Sequence, residues 1–559
     1  MESGKRTSVT RRHLLAGGAA LVAASVLPRV PARAQGSTTY IRYNVASAQG
    51  QQMLGYYQTA IQAMLQLPPA DPRNWYRAAF THYLDCPHGN WWLFPWHRAL
   101  TGWVEQIVRQ YSGIAQFAFP YWDWTANPQI PATMSQGVLN PANPAFIQDI
   151  NTFASTFKPV FAASGYWQPG SAQNQQLQDR GIGSNNVLWD QLTDPTNSNW
   201  PSFFPAQGPG PGQNYPNVRN PNPNLDCVGS AAVSQTVLNG AFASQDYMTF
   251  SSPEADQHST VAGFALLEAQ PHNLVHNNTG GIVDNSPPGQ CGLSNVNIGG
   301  FMQAFLSPTD PLFFLHHSNI DRLWDAWTQQ QIAIGSTTYL PPQNLYQQWA
   351  SEPFLFFYGA DGNPVTQNMA GYYASIGAFN YAYQPGGSVG GPPGPQAALR
   401  AQPRPPVQRF AGEAPAVRPG LGALATGSVG ATAVRLQPAL LRLTRPGAPQ
   451  HLLAKVTLAL PHHRRGQIFR VLVHTGDPAR SVEVGPVALF GHNMTHGLIT
   501  FTLSLDQALA ALRGRNALRA GGFLHFRAVG PGGAAAHHAS AAAPAEREIR
   551  VHSVMVEAH

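Results

Sequence analysis

Six histidines, in two groups of three, are the residues of this chain best suited to hold transition-metal ions. Between residues 36 and 399 the chain has eight histidines, so the two groups use six of the eight. Imidazole binds copper, zinc, iron and nickel, whereas magnesium and calcium prefer oxygen ligands. The pattern therefore indicates a pair of transition-metal ions with neutral nitrogen ligands. The first group is His82, His88 and His97, within sixteen residues, and the second is His272, His276 and His317.

Helical geometry constrains the second group. His272 and His276 are four positions apart in a predicted helix, so both imidazoles project from one face, about 6 Å apart along the axis. His316 and His317 are adjacent, and successive helix positions point about 100° apart, so one of the two faces the metal. His258 has no histidine neighbour at metal-binding spacing and is predicted to be structural.

Three stretches around these histidines resemble the copper signatures of the tyrosinase and catechol oxidase family, which are type-3 copper proteins. They are H-x5-H-x8-H-R from His82, E-x-x-P-H-N-x-V-H from Glu268, and SPTDPLFFLHHSNIDRLW at 307–324. FPYWDW at 119–124 also matches, and the likeness runs from about residue 41 to residue 383. The resemblance implies a helical core that holds two copper ions, CuA and CuB, with O2 as co-substrate.

The resemblance also assigns the ligands, which are His82, His88 and His97 for CuA and His272, His276 and His317 for CuB. Because His317 falls on the family's ligand position, His316 is predicted to be a packed or hydrogen-bonded helix residue. Asp321, four positions later, is predicted to support a ligand or to pair two helices. Neutral ligands leave positive charge on the metal pair, which stabilises a bound phenolate.

Cys86 lies two residues before His88, and Cys86-Pro-His88 matches the family's C-x-H pattern. In that family the sulfur is joined to the imidazole carbon as a thioether, and the alternative for Cys86 is a free buried thiol. The chain departs from plant-type members because it lacks their long insertion before the second ligand. The resemblance therefore predicts a thioether that holds His88 in its loop.

Three further positions bear on phenol hydroxylation, which requires loss of a proton with an unperturbed pKa of about 10. Glu268 and Asn273 match the pair with which the family holds a water that acts as base, and the alternative is that Glu268 only caps a helix. Ala304, thirteen positions before His317, resembles the family's gate, and a small residue there leaves the dicopper site open. These residues favour o-hydroxylation of small phenols and oxidation of the o-diphenol to the o-quinone.

Three alternatives stay open. The chain could be a catechol or o-aminophenol oxidase without hydroxylase activity, or an O2 carrier like haemocyanin. The same histidines could also hold zinc, which metal analysis would exclude.

Hydrophobic periodicity divides the chain into a helical part and a β part. Helical spacing at 51–67, at 74–84, after Pro95, at 262–276 and at 310–330 predicts a mainly α catalytic domain over 35–384. The pattern gives four principal helices with long loops, one of them at 201–224. The family resemblance implies that these helices form a four-helix-bundle dicopper core, and 381–383 resembles the Tyr-x-Tyr motif that closes the family's catalytic domain. Residues 385–433 are rich in Pro, Gly and Ala and predict a linker.

From 434 to 559 the hydrophobic period is two, which predicts a β-sandwich or jelly-roll domain. This region resembles the C-terminal domain of latent plant-type polyphenol oxidases, although the match is looser than that of the copper motifs. The likeness implies a domain that shields the catalytic site.

Residues 1–34 resemble a twin-arginine signal peptide, with Thr10-Arg-Arg-His-Leu-Leu15, an apolar run and an Ala32-Arg-Ala34 cleavage site. The sequence therefore predicts export to the periplasm or the exterior, with no membrane anchor in the mature form. Three cysteines are too few for a disulfide framework. Whether Cys227 and Cys291 form a single bridge is left undecided by the sequence.

The net charge of +6 is unevenly distributed, with +5 over 1–35, −10 over 36–399 and +11 over 400–559. Opposite charges predict that the C-terminal domain docks on the catalytic domain, where we expect it to cover the entrance and keep the enzyme latent. The basic part has one lysine and no helical basic stripe, so nucleic acid is not an expected partner. Small phenols are the expected partners, and homo-oligomerisation stays open.

Overall fold

A computed structural model describes residues 39–193, 219–220, 222–284, 291, 295–297, 300–366, 368–389, 404–413, 432–448, 450–460, 468–490, 497–530 and 549–559. The predicted signal peptide and most of the predicted loop at 201–224 lie outside these residues. Within the described ranges, no helix is both long and apolar enough to span a lipid bilayer.

The part of the chain before residue 390, called the helical part below, is mainly helical, as the sequence predicts. Its helices are α1 (Ala48–Leu65), α2 (Trp75–Asp85), α3 (Leu93–Ser112), α4 (Ile150–Ala162), α5 (Ala172–Asp179), α6 (Asn185–Thr193), α7 (Cys227–Ala232), α8 (Gln235–Ala243), α9 (Tyr247–Phe250), α10 (Asn273–Thr279), α11 (Leu312–Ala333) and α12 (Gln343–Ala350). The metal-binding candidates lie on or beside α2, α3, α10 and α11, which form the expected four-helix core.

Local signals fix the ends of these helices. Ser47 accepts a hydrogen bond from the backbone N–H of Gly50 at the start of α1, and Asn74 accepts one from Tyr76 at the start of α2. Such N-caps satisfy backbone donors that have no partner within the helix. α3 ends at Gly113, whose left-handed φ of 69° suits glycine.

A buried ionic cluster pairs α3 with α11 and with the first strand. The Asp321 carboxylate accepts from Arg98 of α3 at 2.6 Å and from Arg42 at 3.1 Å. Tyr381 and Tyr383 donate to the same carboxylate. Two arginines lower the pKa of Asp321 although burial opposes this. The Tyr-x-Tyr motif therefore closes the helical part by capping Asp321, and Asp321 itself pairs helices.

Two features of the helical part differ from the sequence expectation. Helices α4 to α9 were not predicted. Helices α5 to α9 have only four to nine residues, too few for a clear period. α4 does have helical spacing, at Phe153, Phe157 and Phe161, which was not recognised in the sequence. The helix predicted over 262–276 begins only at Glu268. Phe264 instead bonds in an extended conformation to a strand of the C-terminal domain, through its backbone N–H to Thr500 O at 2.8 Å.

The C-terminal part is a sandwich of two four-stranded sheets, in the orders β10-β7-β12-β5 and β6-β11-β8-β9. The strands of the chain are β1 (Tyr40–Arg42), β2 (Ile282–Asp284), β3 (Asn295–Asn297), β4 (Tyr381–Tyr383), β5 (Gln408–Ala411), β6 (Ala433–Arg435), β7 (Leu452–Leu460), β8 (Ile468–His474), β9 (Val482–Ala488), β10 (Gly497–Ser504), β11 (Phe523–Val529) and β12 (Arg550–Ala558); two further helices are α13 (Pro438–Leu443) and α14 (Asp506–Gly514).

One strand of the sandwich lies within the predicted linker, 385–433. β5 pairs with β12, and Phe410 buries its ring in the sandwich core. A four-residue strand in a proline-rich stretch has too little alternation to be recognised in the sequence. The sandwich therefore begins earlier than residue 434.

The sandwich packs directly on the helical part. The rings of Phe264 and Phe501 stack at 5.4 Å, and Gln270 Nε2 donates to Pro486 O at 3.3 Å. Among the described residues no ion pair joins the two parts, so the contacts seen are apolar and backbone-mediated rather than the charge pairing expected from the net charges.

Candidate metal centre

The six predicted metal-binding histidines converge in the centre of the helical core. His82 lies on α2, His88 in the following loop and His97 in the second turn of α3. The other three lie on the segment before α10, on α10 and on α11. All six side chains are buried, with at most 4% of their surface exposed.

His82 and His97 face each other with the lone pairs of their Nε2 atoms. Their Nδ1 atoms donate to the carbonyls of Phe305 and Leu93, at 2.6 and 2.8 Å. Because a carbonyl only accepts, each Nδ1 carries the proton and each Nε2 of a neutral ring has a lone pair. These two Nε2 atoms are only 3.2 Å apart. A shared cation removes this repulsion, so the pair fits a metal ion.

The second group has the same character. His276 Nδ1 donates to Met302 O at 2.7 Å, and its Nε2 lies 3.0 Å from Nε2 of His317. His272 Nδ1 bonds Asn273 Oδ1 at 2.8 Å, and the buried Nε2 of His272 has no hydrogen-bond partner among the described residues. An orphaned buried nitrogen is costly unless a ligand satisfies it. This group therefore also fits a metal ion.

Burial keeps these imidazoles neutral. It lowers the pKa of His82 to about 3 and that of His272 to about 4. The pKa values of His97, His276 and His317 also lie well below the usual range, with burial as the main cause and neighbouring histidines adding to it. Neutral imidazole is the form that ligates metals.

The two groups touch each other. The rings of His97 and His317 stack at 4.3 Å, and those of His88 and His272 are 5.5 Å apart. Phe313 packs on His317 at 4.1 Å and contacts His82 at 5.2 Å. The arrangement therefore fits two neighbouring metal ions in one buried chamber.

A π-helical turn, Glu268–His272, precedes α10 and places His272. Pro271 lies inside it and has no N–H to donate to the preceding turn, which accounts for the wider helix. His272 therefore ends the π turn and His276 lies in regular α-helix, rather than both lying on one straight helix. Their ring centroids are 4.7 Å apart, so the two imidazoles still converge.

His316 is closer to the second group than expected. It accepts a hydrogen bond from Trp124 Nε1 at 3.3 Å, as a packed helix residue would, but its ring also lies 4.7 Å from His276. Its ligand nitrogen lies within 4.8 Å of those of the CuB candidates. His258 lies away from the centre, where its Nε2 donates to the carbonyl of Asp85.

Cys86 is a buried free cysteine whose Sγ lies 3.4 Å from His88 Nδ1. Burial raises the pKa of its thiol. Arg180, which follows α5, donates to the Cys86 carbonyl at 2.8 Å and lies 3.9 Å from Sγ. The sulfur is thus held beside the imidazole of His88. The bridge between Cys227 and Cys291, which the sequence leaves open, is present in the structure.

Glu268 and Asn273 both lie at the centre, but their side chains have other partners. The Glu268 carboxylate accepts from Gly89 N at 2.7 Å and from Ser252 Oγ. Burial raises its pKa to about 8. Asn273 Nδ2 donates to Ala488 O of β9 at 2.8 Å. In this structure the Asn273 amide, which the family resemblance assigns to a water, therefore donates to the C-terminal domain instead.

Two phenylalanines at the centre were not singled out from the sequence. Ala304, the predicted gate, is fully buried after a 3-10 turn, and the next residue, Phe305, packs its ring 5.4 Å from His88. Phe490, just beyond β9, is fully buried. Its ring lies 4.1 Å from that of His276 and 5.0 Å from that of His88. Phe490 thus fills the space in front of both histidine groups.

Comparison with known proteins agrees with this geometry. Residues 55–330 match the family model described as the common central domain of tyrosinase. The chloroplastic polyphenol oxidase of Spinacia oleracea is 26% identical over 336 residues, which cover 56% of this chain and 42% of that protein. Tyrosinase HcTyr1 of Hahella sp. is 23% identical over 355 residues, 56% of each chain. The chain thus matches about half the length of these relatives.

The solved structures cover more of the chain. The structure of latent apple tyrosinase aligns with a TM-score of 0.50 at 15% identity, over 95% of this chain and 99% of that one. A recombinantly expressed latent aurone synthase, a polyphenol oxidase, aligns with a TM-score of 0.50 at 15% identity over 93% of this chain. At such identities the likeness shows the fold, which includes the C-terminal domain.

Proposed function

We propose that this chain, which belongs to the tyrosinase family of type-3 copper proteins through residues 55–330, is a dicopper oxidase of small phenols. It would o-hydroxylate monophenols and oxidise o-diphenols to o-quinones. One monophenol and one O2 give an o-quinone and water, and two o-diphenols with one O2 give two o-quinones and two waters. One observation carries the proposal: the unprotonated Nε2 atoms of His82 and His97 face each other only 3.2 Å apart.

The ligand set favours copper and this chemistry. Two copper ions, when bound, supply the redox step in which O2 accepts electrons from the phenol. His82, His88 and His97 would hold CuA, and His272, His276 and His317 would hold CuB. Since the metal ligands are neutral imidazoles, the metal pair would keep its positive charge, and a phenolate is its natural anionic partner.

Cys86 and His88 support a covalent link between them, because Sγ already lies 3.4 Å from the imidazole. The bond would replace one S–H and one C–H, and O2 would accept the two electrons and two protons as H2O2. A thioether would hold His88, the one CuA candidate that lies in a loop.

Hydroxylation requires a base near CuB, and we assign this role to Glu268 together with Asn273. Glu268 is the buried carboxylate of the chamber wall, and Asn273 adjoins the ligand His272. Opening of the site would release Asn273 Nδ2 from Ala488 O and make it available to a water. The small Ala304 would leave room above CuB for the substrate ring.

Latency follows from the position of Phe490. A ring that lies 4.1 Å from His276 and 5.0 Å from His88 excludes a substrate ring from the same space. The C-terminal domain would therefore keep the exported enzyme inactive until the domain is displaced or removed. Export by the twin-arginine route fits an enzyme that receives copper in the folded state before it leaves the cytoplasm.

The test combines copper content with turnover. The full-length protein reconstituted with copper should bind two ions per chain, measured by mass spectrometry. The Phe490→Ala variant should convert 4-methylcatechol and 4-methylphenol to quinones. One ion per chain, or a preference for zinc, would contradict the proposal. Reversible O2 binding without quinone formation would favour an O2 carrier, and turnover of the catechol alone would favour a catechol oxidase.

A further inference from the structure

Arg180, beside the Cys86 loop, forms no ion pair among the described residues, although the buried carboxylate of Asp85 interacts with it electrostatically. Arg42, Arg98, Arg219 and Arg322 each pair with a buried carboxylate. For Arg180, the described residues provide the Cys86 carbonyl and sulfur and the face of Phe305, but no ion pair. Its side chain is partly exposed, and a guanidinium has five N–H donors. Donors are therefore left for an external acceptor.

The position of Arg180 relates it to the substrate chamber. Its guanidinium lies 5.7 Å from the centre of the Phe305 ring. Phe305 in turn lies 5.4 Å from His88 and 5.9 Å from Phe490. Arg180 is thus separated by one aromatic side chain from the space that Phe490 fills and that a substrate ring would take.

Charge defines which substrate tail would fit there. The described histidine ligands carry no negative charge, so neither they nor the metal pair would repel an anion. A guanidinium binds a carboxylate through paired, charge-assisted hydrogen bonds. A cationic tail would meet the charge of Arg180 instead and be disfavoured.

We infer that Arg180 determines substrate specificity by binding the carboxylate of phenolic acids whose aromatic ring takes the place of Phe490. This inference rests on the proposed function, because it names the substrate class of the same site. The carboxylate would extend past Phe305 from the ring position opposite the reacting hydroxyl. Phenolic acids should bind best, neutral phenols less well, and phenolic amines least.

The test uses ligands that cannot be oxidised. Binding of 3-phenylpropanoate and of the neutral 3-phenylpropanol is followed by tryptophan fluorescence in the full-length, copper-loaded protein with Phe490→Ala. Arg180→Gln should raise the Kd of the acid about tenfold, equivalent to about 1.4 kcal/mol, and leave that of the alcohol unchanged. Arg180→Lys should retain part of the preference, and Arg519→Gln, which removes an exposed charge from the C-terminal domain, should change neither value.

Turnover gives a second measurement. In the same background, Arg180→Gln should lower kcat/KM for 3-(3,4-dihydroxyphenyl)propanoate about tenfold relative to kcat/KM for the neutral 4-methylcatechol. Equal weakening of the acid and the neutral ligand would overturn the inference and make Arg180 a support of the Cys86 loop. Equal affinity of the parent protein for both ligands would also overturn it. A parent that prefers the acid but oxidises no catechol would refute the proposed function and leave the carboxylate site standing.

Discussion

Replacing Phe490 with alanine in the full-length protein should activate it without removal of the C-terminal domain. The phenylalanine ring is fully buried and lies between 4.1 and 6.3 Å from the ring centroids of His276, His88, His272 and His82. These rings belong to both histidine groups. A substrate ring therefore reaches the metal pair only when the side chain of residue 490 leaves or is absent.

The size of the effect follows from burial. Fully burying a phenylalanine side chain contributes about 2–3 kcal/mol relative to the exposed state. If the open state requires only that this side chain withdraws, the open state holds roughly 0.7–3% of the molecules, because each 1.4 kcal/mol is a factor of ten. Phe490→Ala removes this cost, so kcat/KM for 4-methylcatechol should rise about 30- to 150-fold.

The assay is quinone formation by copper-loaded full-length protein, with copper content measured for each variant. Leu489→Ala is the matched control, since Leu489 is equally buried beside Phe490 but packs into the sandwich core. Leu489→Ala should destabilise the C-terminal domain but raise activity much less than Phe490→Ala does. Equal activation by both variants would mean that loosening of the domain, rather than the ring itself, controls access. No activation by Phe490→Ala would refute the steric account.

Two further predictions concern the chamber wall and the disulfide. Glu268→Gln should lower monophenol kcat/KM at least 100-fold, the contribution of a general base, and leave diphenol oxidation within about threefold. Burial raises the pKa of Glu268 to about 8, whereas an unfolded glutamate titrates near 4.3. The metal-free fold therefore retains a proton on Glu268 between these values, and the stability that this proton contributes is lost as pH rises from about 4 to 8. The buried histidines, whose pKa values are lowered, add a dependence of the opposite sign. The parent should therefore lose Tm relative to Glu268→Gln as pH rises from about 4 to 8, and a Tm difference that does not change with pH would contradict the burial argument. Replacing Cys227 and Cys291 with serine opens a loop of sequence separation 64 and should lower the free energy of unfolding by about 2–4 kcal/mol in urea titration; an unchanged midpoint would show that the bridge is not formed.

The histidine groups were predictable because they depend on local sequence. Histidine is scarce between residues 36 and 399, and the spacings of His82, His88 and His97 fix their order on a helix, a loop and a helix. The start of the CuB segment was not predictable from its own residues. Residues 262–265 have helical periodicity, but Phe264 bonds to β10, more than 230 positions away in the chain. Tertiary pairing there overrides local preference.

Phe490 illustrates a second limit. In the sequence, Phe490 is simply the last apolar residue of a predicted strand, VEVGPVALF. Its neighbour Leu489 packs in the sandwich core, as such a residue is expected to do. Which of the two faces the metal centre depends on how the sandwich docks. Net charges of −10 and +11 predicted that docking would be electrostatic. The described interface instead consists of aromatic contacts and hydrogen bonds to backbone, which net charge does not encode.

The way β9 docks connects the C-terminal domain with the predicted metal ligands. β9 is an edge strand, so some of its carbonyls have no partner within the sheet, and such edges need covering. Pro486 and Ala488 direct their carbonyls to Gln270 and Asn273 of the CuB segment. Because Asn273 Nδ2 must donate to Ala488 O, its Oδ1 is turned to His272 and can only accept. The proton of His272 is therefore held on Nδ1, and Nε2 is left as a lone pair for the metal. The domain that we propose to exclude the substrate thus also fixes the tautomer in which His272 would bind a metal ion.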